Sequence, residues 1–423
     1  MPATHVPVVV IGGGHSGLAM SRRLTERSID HVVLERGDVA NSWRTERWDS
    51  LRLLTPNWHA ALPGAPAPSA EPDGFMTAGE VAAMIERYAA AVAAPVVDHV
   101  VVDRLGVRGD GYEVVTNQGT WTCDAAVVAT GGAARPVVPQ LAEALAPTIA
   151  SVTPRGYASP ESLPHGGVLV VGGSATGVQL ADEIHASGRP VTLAVGEHVR
   201  MPRTYRGRDI FWWTETAGVL AERYDAVDDL VRARHLPSPQ LIGSPERRSI
   251  DLATLRAAGV RVVGRLGRLD GTTAQFSGGL DNVCALADLK LARLLQRLDQ
   301  AAVELGIDAD VGPPERFEPT TAPAPALTEI DLAAEGIRTV VWATGWRPDH
   351  RFVELPVFDH RGRIRHDGGS VSGAAGLYVL GLTLLRRRRS SYIGGAAADT
   401  ADLAEQLHRH LDTVARATPV GVR

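Results

Sequence analysis

The chain has 423 residues, 44% of them hydrophobic, and can bury the cores of two domains. It carries 43 basic and 48 acidic side chains, with no acidic tail and no extended cationic face, which argues against a nucleic-acid partner. Its apolar runs are shorter than a bilayer-spanning helix, and no basic leader precedes the first of them. We therefore expect a cytoplasmic protein without a membrane partner.

The first predicted elements form a strand, a glycine turn, a helix and a second strand. The strand, turn and helix cover residues 6–27, and the second strand covers residues 31–34. A loop rich in tryptophan, arginine and proline follows at residues 41–73. Long ordered loops are usually functional, so we expect residues 41–63 to line a pocket and contact a flavin ring. A helix at residues 78–94 and short strands at residues 96–102, 112–116 and 126–129 come next.

The same pattern restarts further along the chain. Strand 168–171, a glycine turn, helix 178–186 and strand 191–195 predict a second dinucleotide-binding unit. Residues 203–256 have no clear pattern. Strand 339–343 then ends in Ala-Thr-Gly, as residues 129–131 do, which suggests that the chain has returned to the first unit. We predict an α/β protein with two Rossmann-like domains, the NADPH domain inserted in the FAD domain. The predicted ranges are 1–160, 161–328 and 329–423.

The first glycine motif has the full context of a dinucleotide-binding turn. Gly12 allows the tight turn, Gly14 lets the backbone approach a pyrophosphate, and Gly17 lets the helix pack on the strand. Glu35, at the end of the next strand, can accept hydrogen bonds from a ribose and would repel a 2′-phosphate. This half therefore suits FAD or NAD. Ser16 and Arg36 complete the expected contacts.

The second glycine motif departs from the pattern at its middle position, where serine replaces glycine. No acid stands at the end of strand 191–195, and several arginines follow it, which favours capture of a 2′-phosphate and hence NADPH over NADH. A solvated basic loop is the alternative interpretation. The residues that we expect at the second nucleotide are Gly172, Ser174, Thr176, Gly177, Arg200 and Arg203.

Two dinucleotide folds in one chain are typical of an enzyme in which a nicotinamide passes hydride to a flavin. A dithiol-disulfide reductase would need a redox-active cysteine pair, and the two cysteines, Cys123 and Cys284, lack the spacing for one. They also do not form a metal-binding motif. Molecular oxygen or a small electron acceptor therefore remains as the oxidant of the flavin.

Several motifs together resemble one family. They are Asn41-Ser42-Trp43-Arg44, the stretch from Arg47 to Leu53, Thr55-Pro56, the two Ala-Thr-Gly strand ends, and Gly376-Leu377-Tyr378 leading to Gly381. With the glycine loop and Glu35, these residues resemble the flavin-containing monooxygenases (class B flavoprotein monooxygenases), in particular a bacterial branch near the plant YUCCA enzymes. The resemblance covers most of the chain outside residues 208–331.

The resemblance implies a reaction and a set of contacts. NADPH would reduce FAD, oxygen would be trapped as a flavin C4a-hydroperoxide, and one oxygen atom would pass to a small organic nucleophile or carbonyl. Asn57 is the implied catalytic residue, with a turn residue after Pro56 as the alternative. The helix after Tyr392 would direct its N-terminus at the flavin. The remaining implied cofactor contacts are Ser42, Trp43, Arg44, Thr55, Val100, Ala129, Thr130, Gly131, Gly381 and Tyr392.

The sequence departs from the family pattern before the second glycine motif. A His-Ser pair is expected there, and the stretch reads Thr153-Pro154-Arg155-Gly156-Tyr157. An NADPH oxidase or flavin reductase without oxygen transfer, and a non-catalytic FAD- and NADP-binding redox sensor, therefore stay open beside the monooxygenase. The arginine run at residues 386–389 is interpreted as a solvated loop, or as a site for cofactor phosphate or an anionic substrate. The sequence does not decide between a monomer and a homodimer.

Overall fold

The computed structural model describes residues 3–68 and 70–417, so positions 1, 2, 69 and 418–423 of the predicted ranges lie outside it. A seven-stranded sheet forms the centre of the first module. Its inner strand Val8–Ile11 is buried along its whole length, as expected for a parallel strand covered on both faces. In spatial order the strands are His366–Asp367, Ser370–Val371, Leu377–Val379, Ala125–Val128, Val8–Ile11, His31–Leu34 and Val96–Val97.

A five-stranded parallel sheet forms the second module. The predicted return of the chain to the first module at strand 339–343 is wrong, because the strand Ile337–Trp342 pairs with Gly167–Val171 in this second sheet. The predicted boundaries near 160 and 328 also leave this strand and Ala150–Val152 outside the second range. The strands of this five-stranded sheet are, in spatial order, Ala150–Val152, Ile337–Trp342, Gly167–Val171, Val191–Val195 and Arg261–Gly264.

The two Ala-Thr-Gly segments are equivalent positions in the two modules. A Cβ added to Gly12 would lie 2.7 Å from the carbonyl oxygen of Ala129, and a Cβ added to Gly172 would overlap with that of Ala343. Each glycine turn therefore packs against the Ala-Thr-Gly end of a neighbouring strand. The α/β prediction with two Rossmann-like modules is confirmed, and the repeat reflects this internal similarity.

Smaller sheets surround the two centres. One is four-stranded, one is three-stranded and antiparallel, and three are two-stranded pairs. In one of these pairs, Arg135–Pro136 lies beside Trp346–Arg347, so the two chain segments that connect the modules are hydrogen-bonded to each other. The other strands are Thr4–His5, Gly119–Cys123, Gly111–Thr116 and Val102–Arg108; Leu266–Asp270, Thr273–Phe276 and Glu329–Asp331; Val199–Arg200 with Pro239–Gln240; and Thr204–Tyr205 with Arg208–Asp209.

Several helices begin directly after a residue whose side chain caps them. Thr77 and Glu80 form a capping box at the start of Ala78–Ala91, which satisfies free backbone N–H groups of the first turn. No helix in the described ranges is long and apolar enough to cross a bilayer. The α-helices are His15–Thr25, Asn41–Thr45, Ala78–Ala91, Ala175–Ala186, Ile210–Thr216, Leu230–Arg234, Leu252–Ala258, Leu280–Glu304 and Ala396–Ala417. The 3-10 helices are Asn57–His59, Gln140–Ala144, Pro160–Ser162, Tyr224–Ala226, Asp308–Asp310, Arg388–Ser391 and Ile393–Gly395.

Candidate functional site

A single cavity of about 1130 Å³ extends from the first glycine turn to the second. It lies where the carboxyl ends of the parallel strands of both modules meet, which is the usual ligand position in such sheets. Most of the residues expected from the sequence line it. These are Gly12, Gly14, Ser16, Glu35, Arg36, Ser42, Trp43, Val100, Ala129, Thr130, Gly131, Gly172, Ser174, Thr176 and Gly381.

The first glycine turn combines two crowded glycines with one open glycine. Gly12 has φ +113°, and a Cβ on Gly17 would overlap with the carbonyl oxygen of Gly12, so both glycines are required by the fold. Gly14 differs, because an added Cβ there would meet nothing within 4 Å. Its missing side chain leaves open space in front of the N-terminus of the helix His15–Thr25. That space and the helix N-terminus suit a phosphate group.

Polar groups around this turn are placed to bind a ligand. The carboxylate of Glu35 accepts a 2.6 Å hydrogen bond from the backbone N–H of Gly13, and burial raises the pKa of Glu35. Nε2 of His15 and Oγ1 of Thr130 are buried and have no hydrogen-bond partner in the protein. Since buried polar atoms are normally paired, these cavity-lining groups fit a bound polar ligand such as a dinucleotide.

The second glycine turn has the same geometry. Gly172 has φ +118°, and a Cβ on Gly177 would overlap with the carbonyl oxygen of Gly172. Ser174 occupies the position of Gly14 with φ -87°, an ordinary extended conformation. The backbone of the serine is therefore unstrained at this position. Nε2 of Gln240 donates a 2.8 Å hydrogen bond to the carbonyl oxygen of Gly173 and holds the turn in place.

The assignment of Arg200 and Arg203 to a 2′-phosphate is wrong. Arg200 is buried away from the cavity, and its guanidinium contacts Asp251 at 3.1 Å and Asp288 at 2.8 Å. Arg203 is fully buried and contacts Asp209 at 2.9 Å. Both arginines thus hold the fold together, and the solvated-loop alternative is also wrong for them.

Three other charged groups lie at the corresponding end of the cavity. Glu197 lines it two residues after the strand Val191–Val195, an acid that the sequence analysis overlooked. The side chain of Glu197 contacts Nζ of Lys290 at 2.7 Å, and this hydrogen bond lowers the pKa of Glu197. Arg265 also lines the cavity, and its Cδ would lie 3.6 Å from a Cβ added to Gly196.

Asn57 does not lie in the cavity wall, so the structure does not support its predicted catalytic role. Its Nδ2 donates to the carbonyl oxygen of Glu71 at 2.9 Å, and its Oδ1 accepts from the backbone N–H of Met76 at 3.0 Å. Both ends of the amide are therefore occupied in fixing a loop, which agrees with the alternative interpretation as a turn residue.

Three more predicted contacts lie outside the cavity wall. Arg44 forms an ion pair with Glu86 on the neighbouring helix Ala78–Ala91. Thr55 is buried away from the cavity. The Tyr392 ring packs edge-on against His59, with ring centroids 5.7 Å apart, whereas its neighbour Ser391 does line the cavity. In this segment the cavity wall therefore includes Ser391 in place of the predicted Tyr392.

The arginine run 386–389 is neither a solvated loop nor a phosphate site. Each of its four guanidinium groups forms an ion pair with a carboxylate, and together they join the last helix to the helix Ile210–Thr216 and the segment that follows it. The pairs are Arg386 with Asp402, Arg387 with Asp399 and Asp402, Arg388 with Glu222, and Arg389 with Glu215.

Arg155 lies in the stretch that departs from the family pattern, and its side chain pairs with a residue of the cavity wall. Nη2 of Arg155 donates a 2.8 Å hydrogen bond to Glu46, a buried carboxylate that also pairs with Arg36. Glu46 and Arg36 line the cavity. Arg155 therefore connects the segment between the modules to the wall of the cavity.

The two modules have an FAD- and NAD(P)-binding type of fold, and residues 9–208 match the family described as pyridine nucleotide-disulphide oxidoreductase. The chain is 28% identical to an uncharacterized CzcO-like oxidoreductase of Geobacillus kaustophilus (strain HTA426), over 96% of this chain and 99% of that one. It is 32% identical to indole-3-pyruvate monooxygenase YUCCA1 of Oryza sativa subsp. japonica, over 49% of this chain and 52% of that one. A flavin-containing monooxygenase structure from Stenotrophomonas maltophilia superposes with a TM-score of 0.67 and 20% identity, covering 96% of this chain and 99% of that one. The chain is therefore similar over most of its length to an oxidoreductase of unknown activity and to the fold of a flavin-containing monooxygenase.

Proposed function

We propose that this chain is an FAD-dependent, NADPH-using monooxygenase. The observation that carries the proposal is the single cavity that joins both glycine turns, because a shared cavity can bring a nicotinamide to a flavin. The first turn, with Gly14, Glu35 and the unpartnered atoms of His15 and Thr130, would hold FAD. Bound together, the two cofactors supply hydride transfer to flavin and reduction of oxygen.

The cysteines argue against disulfide chemistry. Cys123 and Cys284 are both buried and free. Burial raises the pKa of Cys123 to about 12 and that of Cys284 to about 11, so neither is a thiolate near neutral pH. The monooxygenases among the similar proteins are therefore the better guide to the function than the disulphide oxidoreductases.

The spectrum of the purified protein tests the proposal. We expect a yellow protein that NADPH bleaches without oxygen, and a transient absorbance before the oxidised spectrum returns in air. Screens of amines, thioethers and ketones should then show NADPH consumption coupled to oxygenated product. Bleaching without the transient or product would support an NADPH oxidase or flavin reductase. A protein that binds FAD but is not bleached would support a redox sensor.

We propose that Arg265 selects NADPH. An arginine near the end of the second strand can accommodate the 2′-phosphate, whereas an acid there accepts a hydrogen bond from the 2′-hydroxyl of NADH. Lys290 neutralises Glu197, which leaves Arg265 to face the phosphate. We expect Arg265→Gln to raise the KM for NADPH about tenfold or more and to change that for NADH little.

The matched control is Arg268→Gln, which removes an exposed arginine that pairs with Asp270. Glu197→Gln should act in the opposite direction and lower the KM for NADPH, since it removes a negative charge from the site. Equal effects of Arg265→Gln on the two nucleotides would contradict the assignment.

A further inference from the structure

One segment crosses the cavity from the first module to the second. This segment, which we call the junction strap, comprises residues 234–240. At one end, Nε of Arg234 donates a 3.2 Å hydrogen bond to the carbonyl oxygen of Leu384. At the other end, Gln240 holds the second glycine turn. The cavity-lining residues of the junction strap are Arg234, His235, Leu236, Pro237 and Ser238.

Arg234 forms no ion pair in the part of the chain that the structure describes. Nη2 of Arg234 is buried and has no hydrogen-bond partner, and no ion pair of Arg234 occurs in residues 3–68 and 70–417. Nearby charges do not compensate for this. Asp367 attracts Arg234 without forming an ion pair with it and accepts a 2.5 Å hydrogen bond from the Tyr224 hydroxyl, whereas Arg363, itself paired with Asp359, repels Arg234. Burial, and then Arg363, lower the pKa of Arg234 by more than Tyr224 and Asp367 raise it.

A partly buried cation without a partner costs free energy, unlike the paired arginines elsewhere in this chain. An anionic ligand in the cavity would remove this cost. The geometry therefore indicates that the wall at Arg234 is completed by a negative charge that the protein itself does not supply.

The cofactor phosphates have other binding positions in the proposed function. One pyrophosphate would lie at the N-terminus of His15–Thr25 and the other at the N-terminus of Ala175–Ala186, while Arg265 would face the 2′-phosphate. Arg234 is hydrogen-bonded instead to Leu384, next to the cavity-lining Thr383. Since the cofactor phosphates are assigned elsewhere, we take the anion that pairs with Arg234 to be the substrate.

We propose that Arg234 binds the carboxylate of an organic-acid substrate whose apolar part contacts Leu236 and Pro237. This inference rests on the proposed function and names the substrate class of the same cavity. A guanidinium pairs well with a carboxylate because its N–H groups match the two oxygens. Leu236 is 37% exposed and lines the cavity, so it offers apolar surface beside the charge.

Calorimetric titration of the FAD-loaded protein tests the proposal directly. The probes are phenylacetate, indole-3-acetate and octanoate, with phenylacetamide as the uncharged counterpart of the first. We expect at least one carboxylate to bind and the amide to bind at least tenfold more weakly. Arg234→Gln should weaken binding of that carboxylate by about 10- to 100-fold, and Arg234→Lys should recover part of the loss.

The matched control is Arg361→Gln, because Arg361 is an exposed arginine that does not line the cavity. It should leave carboxylate binding unchanged. Failure of all three carboxylates to bind at millimolar concentration, or equal binding to wild type and Arg234→Gln, would overturn the proposal. A loss of FAD or NADPH affinity in Arg234→Gln with unchanged carboxylate binding would assign Arg234 to a cofactor phosphate instead. Calorimetry needs no turnover, so absent bleaching by NADPH would contradict the proposed function separately.

Discussion

Replacement of Arg203 by alanine should lower the free energy of unfolding by about 3–5 kcal/mol and leave the KM ratio of NADPH to NADH unchanged. The Arg203 side chain is fully buried, and it contacts Asp209 and the carbonyl oxygen of Leu54. The substitution would leave Asp209 in a buried site without its cation. Urea denaturation of the two proteins measures the first effect, and steady-state kinetics with both nucleotides measures the second.

Arg208→Ala provides the control, since Arg208 belongs to the same arginine-rich segment but is exposed, with its guanidinium 5.4 Å from the centre of the Trp212 ring. An exposed cation–π contact contributes about 1 kcal/mol or less. The structural role of Arg203 would be refuted if Arg203→Ala kept the stability of the wild type and raised the KM for NADPH alone.

The sequence predicted the core of each module because its signals are local. Strands 31–34 and 191–195 match the observed His31–Leu34 and Val191–Val195, since short apolar runs next to a glycine turn leave few alternatives. Strand pairing is a long-range property. The strand Ile337–Trp342 joins a partner about 170 residues earlier, and its Ala-Thr-Gly end occurs in both modules, so the motif could not show which sheet contains it.

The same distinction between local and long-range signals explains which residues of the candidate site could be predicted. Gly12, Gly14 and Glu35 were predicted because a turn, a helix and a strand end fix them within a short stretch. The roles of arginines depend on partners distant in sequence. Arg200 pairs with Asp288, 88 positions away, and no local pattern reveals that partner. The lack of an ion pair at Arg234 within the described residues is likewise visible only in the folded chain.

Gly14→Ala should weaken FAD binding by about 10- to 100-fold while the stability of the FAD-free protein stays close to that of the wild type. The added methyl group would meet no protein atom within 4 Å, and the residue has φ -82°, which alanine adopts readily. The methyl group would instead occupy the space in front of the helix N-terminus where we place the pyrophosphate. Flavin fluorescence titration measures the affinity, and thermal unfolding of the FAD-free protein measures the stability.

Gly17→Ala separates this effect from packing, because its methyl group would overlap with the carbonyl oxygen of Gly12. We expect that variant to lose about 1–3 kcal/mol of stability or more, even without FAD. If the first turn holds a pyrophosphate, Gly14→Ala should therefore lose FAD affinity, whereas Gly17→Ala should lose stability. Normal FAD affinity in Gly14→Ala would mean that the open space at this turn does not hold the phosphates, and the cofactor assignment of the first module would then have to be abandoned.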